Sequence, residues 1–355
     1  MKVLVLTFPL INNYGGIIQA YALMKVLTEL GFEPVLANLR PESDILAVTK
    51  YVIKRCFLPF SSKHKGSSLN IADPKIKSFI KEEISPKTEA IYNFNQLKKL
   101  LDRNEYSCCI VGSDQVFAKL GYPRFEDIYS LGFVNDKVTK IAYAASFGGG
   151  EFQGSANKVN YHSKSLKKFK AISVREESGV EVCERTFDVQ AEHVLDPTII
   201  IDKSYYIDII EKYTCERNEG KLFSYILDKE NKDYTFIEKV ASEKGLELKE
   251  VNDGNDSKEK VNIEEWLNYI YSSDYIVTDS FHGVVFSIIF NKPFSCIINN
   301  KRGADRFLSL LKLVNLESRI LDEHFVDHEI DWHGVNKVLS LLRLNSIDFL
   351  VKNLN

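Results

Sequence analysis

No run of apolar residues in this 355-residue chain approaches the roughly 20 needed to cross a bilayer. No C-x-x-C pair occurs among the six cysteines, Cys56, Cys108, Cys109, Cys183, Cys215 and Cys296. They are scattered and read as reduced core residues of a reducing compartment. Positive charge is not in excess. The 46 Lys and Arg against 49 Asp and Glu give a formal net charge of −3, which excludes the basic face that broad nucleic-acid binding requires. Neither a Walker A loop nor G-x-G-x-x-G is present, and there is no internal repeat or low-complexity tract. His324, His328 and His333 match no familiar zinc spacing and have no cysteine near them in sequence, so no metal site is expected.

What is present is an ordinary globular composition, 45% hydrophobic and 27% charged, at a length that favours two domains. The first eight residues begin like a signal peptide, but Pro9 and Asn12-Asn13 interrupt the apolar run. A buried first strand explains them better, and a cytoplasmic protein is expected. Strand-like and amphipathic helical runs alternate nearly throughout, the pattern of parallel α/β layers. Strands are expected at 2–8, 33–38, 107–111, 140–145, 171–174 and 192–195, with a helix at 17–30. Asp196-Pro197 reads as the exit from a first Rossmann-like domain, residues 1–203. Residues 41–87 break its alternation as an insertion. A second Rossmann-like domain, residues 204–355, carries a long terminal helix over 335–353. Within the insertion, residues 45–60 are apolar and basic, which suits either contact with the inner face of a membrane or a core helix or lid.

Candidate site residues stand at strand ends, where ligands bind in open parallel sheets. Asn12-Asn-Tyr-Gly-Gly16 joins the first strand to the first helix, with Gln19 one turn inside; its two glycines permit close backbone approach. Gly112-Ser-Asp-Gln-Val-Phe117 offers donors and a carboxylate for sugar hydroxyls, or a helix cap. Tyr143-Ala-Ala-Ser-Phe-Gly-Gly-Gly150 reads as a mobile loop. Arg175 suits a bidentate grip on phosphate or carboxylate, or an ion pair with Glu176 or Asp196. At Thr278-Asp-Ser-Phe-His-Gly283 a strand runs into a tight Phe-His-Gly turn and then a helix. That geometry aims helix N–H groups at an anion beside the titratable His282, although Ser280 also reads as a plain N-cap.

Taken in order, Asn13-Tyr-Gly-Gly-Ile-Ile-Gln-Ala-Tyr-Ala-Leu23, Val111-Gly-Ser-Asp-Gln-Val116, Tyr143-Ala-Ala-Ser-Phe-Gly148, Ile172-Ser-Val-Arg-Glu-Glu-Ser-Gly-Val180, Leu195-Asp-Pro-Thr198 and Thr278-Asp-Ser-Phe-His-Gly283 resemble the polysaccharide pyruvyl transferase family. The resemblance implies a fold similar to the two-Rossmann-domain GT-B glycosyltransferases. It implies transfer of a pyruvyl group from phosphoenolpyruvate to a sugar of a bacterial capsule, exopolysaccharide or cell-wall polymer, commonly as a cyclic ketal. It ties Arg175 and His282 to phosphoenolpyruvate as a co-substrate, with no further cofactor. Many relatives carry arginine where this chain has Ser280. Either the Ser280 hydroxyl and the N–H groups around Phe281 and Gly283 replace it, or Arg302 or Arg306 reaches in.

On this reading His282 is the general acid or a phosphate donor, and Asp114 or Asp279 activates the acceptor. Asn13, Tyr14, Gly15, Gln19, Ser113 and Gln115 are the expected acceptor contacts, the acceptor being a soluble sugar or a lipid-linked oligosaccharide. Two other functions remain open. A sugar-nucleotide glycosyltransferase would use Glu264 or Glu265 as its ribose-binding acid. A non-enzymatic glycan- or phosphate-binding protein would fit the Ser280 departure.

Overall fold

Apolar runs too short for a helix and lacking polar alternation suit strands buried on both faces, and here they form two all-parallel sheets. The computed structural model describes residues 1–40, 73–103, 105–121, 126–213, 218–228, 234–251, 261–298, 303–322 and 325–355. The expected apolar, basic segment at 45–60, Arg302 and His324 lie outside the described residues. The first sheet carries β1 (Lys2–Leu6), β2 (Glu33–Leu36), β3 (Cys108–Gly112), β4 (Thr139–Ala145), β5 (Ala171–Val174) and β6 (Glu192–His193) in the order β2-β1-β3-β4-β5-β6. The second carries β7 (Lys221–Tyr225), β8 (Glu247–Glu250), β9 (Tyr275–Thr278) and β10 (Phe294–Cys296) in the order β10-β9-β7-β8. Both are doubly wound. The order reverses between β1 and β3 in one sheet and between β7 and β9 in the other, which are the crevices such sheets offer to ligands.

Six helices bear on these crevices: α1 (Tyr14–Glu29), α2 (Glu177–Phe187), α3 (Pro197–Ile200), α4 (Phe281–Ile289), α5 (Ala304–Leu313) and α6 (Trp332–Leu354). α4 is apolar all round, and every one of its residues is buried, as its place between packed elements requires. Among the described cysteines, Cys108, Cys109, Cys183 and Cys296 are free and buried, with burial pushing the Cys108 thiol up to about 12. Among the described residues no helix is long and apolar enough to cross a membrane, and no group of three His, Cys, Asp or Glu side chains is placed to hold a metal ion.

The terminal helix returns to the first sheet. Arg343 Nε donates to the Ile199 carbonyl at 2.6 Å, and the rings of Phe349 and Tyr143 lie 6.1 Å apart. Ser346 Oγ accepts the Leu195 N–H at 3.0 Å, while Tyr143 Oη donates to the Leu195 carbonyl at 3.1 Å. Both polar groups of the residue before Asp196 are thereby fixed. Ser346→Ala leaves a buried N–H without its partner, which costs about 1–3 kcal/mol. The cost is read as a lowered urea or thermal midpoint; an unchanged midpoint contradicts the anchoring role.

Candidate active site

At the carboxyl ends of the strands the two sheets contribute to one buried cluster. Arg175 follows β5, and its side chain is 0% exposed. Nη1 donates to Asp196 Oδ2 at 2.8 Å and Nη2 to Asp114 Oδ1 at 3.4 Å. Asp196 caps α3, where Pro197 at the first helical position needs no N–H partner. Its Oδ1 accepts the Thr198 N–H at 3.0 Å and the Thr198 hydroxyl at 2.7 Å, and its Oδ2 accepts the Ser113 hydroxyl at 3.1 Å. From the second unit, His282 Nε2 stands 3.9 Å from Asp196 Oδ1.

The His282 ring enters from α4. Ser280 is its N-cap, with Oγ accepting the Gly283 N–H at 3.3 Å. The expected Phe-His-Gly turn is therefore the first turn of the helix itself. α1 approaches from the other unit, capped by Asn13, whose side chain accepts the Gly16 N–H at 3.0 Å. The two helix starts nearly touch: a Cβ added to Gly15 would lie 2.0 Å from His282 Nδ1. Glycine is required there by close approach.

Two guanidinium groups flank one ring. Arg175 Cζ lies 4.9 Å and Arg306 Cζ 5.3 Å from the centroid of Phe281, within cation–π range. Arg306 comes from α5, which is joined to the first unit where Ser309 Oγ accepts the Glu177 N–H at 3.0 Å. Burial, then the charge of Arg175, pulls the Arg306 guanidinium down to about 9. Burial also works against Arg175, but Asp196, Asp114 and Glu176 more than restore its charge. Burial pushes the Asp196 carboxyl up, and the Arg175 charge and the Thr198 hydrogen bonds work against it, so that on balance its pKa is lowered. His282 is driven down to about 4 by burial, against the pull of Asp196 and with Arg175 adding to the drop. It is uncharged at neutral pH.

Asp114 adopts a left-handed backbone, φ 66°, a conformation rare outside glycine and favoured where structure over-determines it. Its Oδ2 is buried without a hydrogen-bond partner, and so are Arg175 Nε, Glu176 Oε2 and His282 Nε2. Buried polar atoms are nearly always paired, and a concentration of exceptions marks functional ground.

The structure thus brings together Arg175, His282, Asp114, Ser280, Phe281, Gly283, Arg306, Gly15 and Ser113. It adds Asp196, which sequence reasoning read as a domain exit or a partner for Arg175. The signal available was the Asp-Pro-Thr cap at a strand end. Three expected acceptor contacts are buried and bonded within the protein. Tyr14 is 1% exposed and donates to the Val261 carbonyl at 2.7 Å, within an aromatic group shared with Tyr225 and Trp266. Gln19, 0% exposed, donates to Thr7 Oγ1 and accepts the Ser113 N–H; Ser113 itself is 0% exposed. These groups brace the site from within. Of the other three, Asn13 is exposed, Gly15 buried and Gln115 half-buried.

Asp279 is likewise committed, accepting the Leu227 N–H at 2.6 Å and the Asp228 N–H at 3.1 Å. The expected mobile loop is held: Gly148 donates to Ser146 Oγ and Glu176 Oε1, and a Cβ on Gly303 would lie 2.0 Å from its carbonyl oxygen.

Two Rossmann-like units meeting over a buried Arg–Asp–His junction, with a terminal helix returning to the first, define a GT-B-type α/β protein. A Listeria monocytogenes protein assigned as a UDP-N-acetylglucosamine 2-epimerase superposes with a TM-score of 0.52 at 10% identity, over 99% of this chain and 90% of that one. The UDP-GlcNAc 2-epimerase from Neisseria meningitidis bound to UDP-GlcNAc gives 0.48 at 10% identity, over 100% and 99%. The ADP-heptose LPS heptosyltransferase II of E. coli gives 0.37 at 10% identity, over 97% and 99%. No curated protein matches in sequence. The chain belongs to the polysaccharide pyruvyl transferase family, whose model matches residues 13–301.

The contact between the two helix starts is open to mutation. Gly15→Ala, which in an ordinary helix would add about 1 kcal/mol of stability, here displaces the imidazole. It is expected to lower stability in the native chain and to be neutral or stabilising in a His282→Ala background, as a double-mutant cycle by thermal unfolding reads. Equal effects in both backgrounds contradict the contact. Burial of the imidazole also sets a pH dependence. His282 binds its proton more weakly folded (about 4) than at its ordinary 6.5, so the unfolded chain holds more protons between those values. Stability is complete above pH 6.5 and falls as the pH drops, by up to about 1.4 kcal/mol per unit from this group. His282→Gln is expected to flatten that part of the stability–pH curve.

Proposed function

We propose that the chain transfers a pyruvyl group from phosphoenolpyruvate to a sugar of a bacterial surface polysaccharide or its lipid-linked precursor, closing a cyclic ketal across two hydroxyls. Membership of the family supports the transferase class. The observation that carries the donor assignment is the meeting, in one buried cluster, of two guanidinium groups, a neutral imidazole and the N-termini of α1 and α4. Phosphoenolpyruvate presents a phosphate and a carboxylate on three carbons, and such a set of fixed cations and oriented N–H groups matches it.

In the first step an acceptor hydroxyl bonds to the central carbon while the methylene carbon takes a proton. Phosphate then leaves with the bridging oxygen, and the second hydroxyl closes the ketal. Asp114 is the better base, because its Oδ2 is buried and unpartnered while both Asp279 oxygens hold backbone N–H groups. His282 starts neutral, and a bound dianion raises its basicity, so it gains the proton that the methylene carbon later needs. Arg175 and Arg306 balance the phosphate as its charge develops. The mechanism calls for no metal.

The nucleotide-sugar alternative has weaker support. Glu265 accepts the Asn262 N–H at 2.9 Å in a capping box, and Glu264 is only 4% exposed. Glu265 is thus engaged in capping its own helix, and Glu264 is buried.

Phosphate release from phosphoenolpyruvate across a panel of sugar acceptors tests the proposal. Arg175→Lys, His282→Gln and Asp114→Asn are each expected to lower kcat on the order of 10²-fold. Asp279→Asn acts mainly on stability. Near-native turnover in both the Arg175 and His282 variants, or a silent Asp114→Asn beside an inactive but stable Asp279→Asn, removes the assignment.

A further inference from the structure

The two nitrogens of His282 face different units of structure. Nδ1 points at the first turn of α1, since a Cβ on Gly15 would stand 2.0 Å from it, nearer than to Cγ at 2.5 Å or Cε1 at 2.7 Å. Nε2 points at Asp196, with Oδ1 3.9 Å away, and is buried without a hydrogen-bond partner. A neutral imidazole carries one proton, and its neighbours decide which nitrogen holds it.

Two electrostatic terms act in the same sense. A proton on Nε2 lies towards a buried carboxylate held rigid by Arg175, Ser113 and Thr198. A proton on Nδ1 would lie against the N-terminus of α1, the positive end of the helix, which repels a second donor and favours a lone pair. We propose that Asp196 is a positioning residue which fixes His282 in its Nε2–H form and leaves Nδ1 as the working nitrogen beside the α1 N-terminus. The 3.9 Å separation is too long for a hydrogen bond, so Asp196 acts on the ring through its charge across a buried gap. The other charged groups that act on the ring are Arg175, Asp114 and Arg306.

The working role of Nδ1 rests on the pyruvyl-transfer reading, whereas the tautomer does not. On that reading the proton balance closes. Donor binding draws a proton from solvent onto Nδ1, and that proton passes to the methylene carbon of phosphoenolpyruvate. The ring returns to its Nε2–H form, the proton of the attacking hydroxyl goes to Asp114 and from there to solvent, and the proton of the second hydroxyl leaves on the phosphate.

Long-range proton–nitrogen NMR of histidine-labelled protein at neutral pH tests the tautomer, with His282→Gln identifying the resonance. The expected spectrum shows Nε2 protonated and Nδ1 bare. Asp196→Asn is expected to mix or reverse that pattern and to lower kcat by roughly 10²-fold, without raising the KM for phosphoenolpyruvate. A proton on Nδ1 in the native protein overturns the proposal, as does a folded Asp196→Asn variant with the native tautomer. If that variant does not fold, Asp196→Glu, which shifts the carboxylate relative to the ring, is read in its place, with an unchanged tautomer equilibrium counting against the proposal. An Nε2–H spectrum that Asp196→Asn mixes or reverses, in a protein that never releases phosphate from phosphoenolpyruvate, upholds the role of Asp196 and removes the donor reading.

Discussion

One buried carboxylate holds this site together. Asp196 accepts from Arg175, Ser113 and both donors of Thr198, and faces His282 of the opposite unit. A charge so far from water persists only if it is paired and hydrogen-bonded on most sides. Removing one partner of such a pair typically costs about 3–5 kcal/mol, because the other charge stays buried. The surrounding fold is arranged to prevent that. β6 delivers the chain to position 195, Tyr143 and Ser346 bind both polar groups of Leu195, and Pro197 starts a one-turn helix that Asp196 itself caps.

The terminal helix acquires a reason from this constraint. Its sequence position follows the second unit, yet Ser346 reaches the residue beside Asp196 and Arg343 bonds the Ile199 carbonyl of the one-turn helix. The second unit is tied by the same small region, through His282 above Asp196 and Arg306 across Phe281 from Arg175. The electrostatics then follow from burial. Asp196 stays ionised beside Arg175 while the imidazole stays neutral, a division of roles set by which partner is near and which charge is left without one.

Much of the architecture was legible because buried parallel strands are unbroken apolar runs, as at Ala171–Val174, and because helices stop at glycine, as Tyr234–Lys244 does before Gly245. Position 283 misled for a physical reason. A glycine after histidine reads as a turn, but here it sits inside a helix because a Cβ would fall 2.5 Å from Thr278 Oγ1. Tyr14, Gln19 and Ser113 were ambiguous in another way. A polar residue at a strand end serves a ligand or the protein equally well in sequence, and only the hydrogen bonds to Val261, Thr7 and Asp196 separate the two. Asp196 was legible as a domain exit and as a partner for Arg175, but between it and His282 lie three of the four strands of the second sheet. No local pattern contains that contact.

The central claim is that a neutral His282, poised over Asp196, becomes charged when a small dianion enters between the two units. Calorimetric titration of phosphoenolpyruvate in buffers of different ionisation enthalpy measures that proton directly. The account predicts uptake approaching one proton near neutral pH, abolished in His282→Gln while some binding remains. Donor binding with the same proton balance in the native and His282→Gln proteins would contradict it.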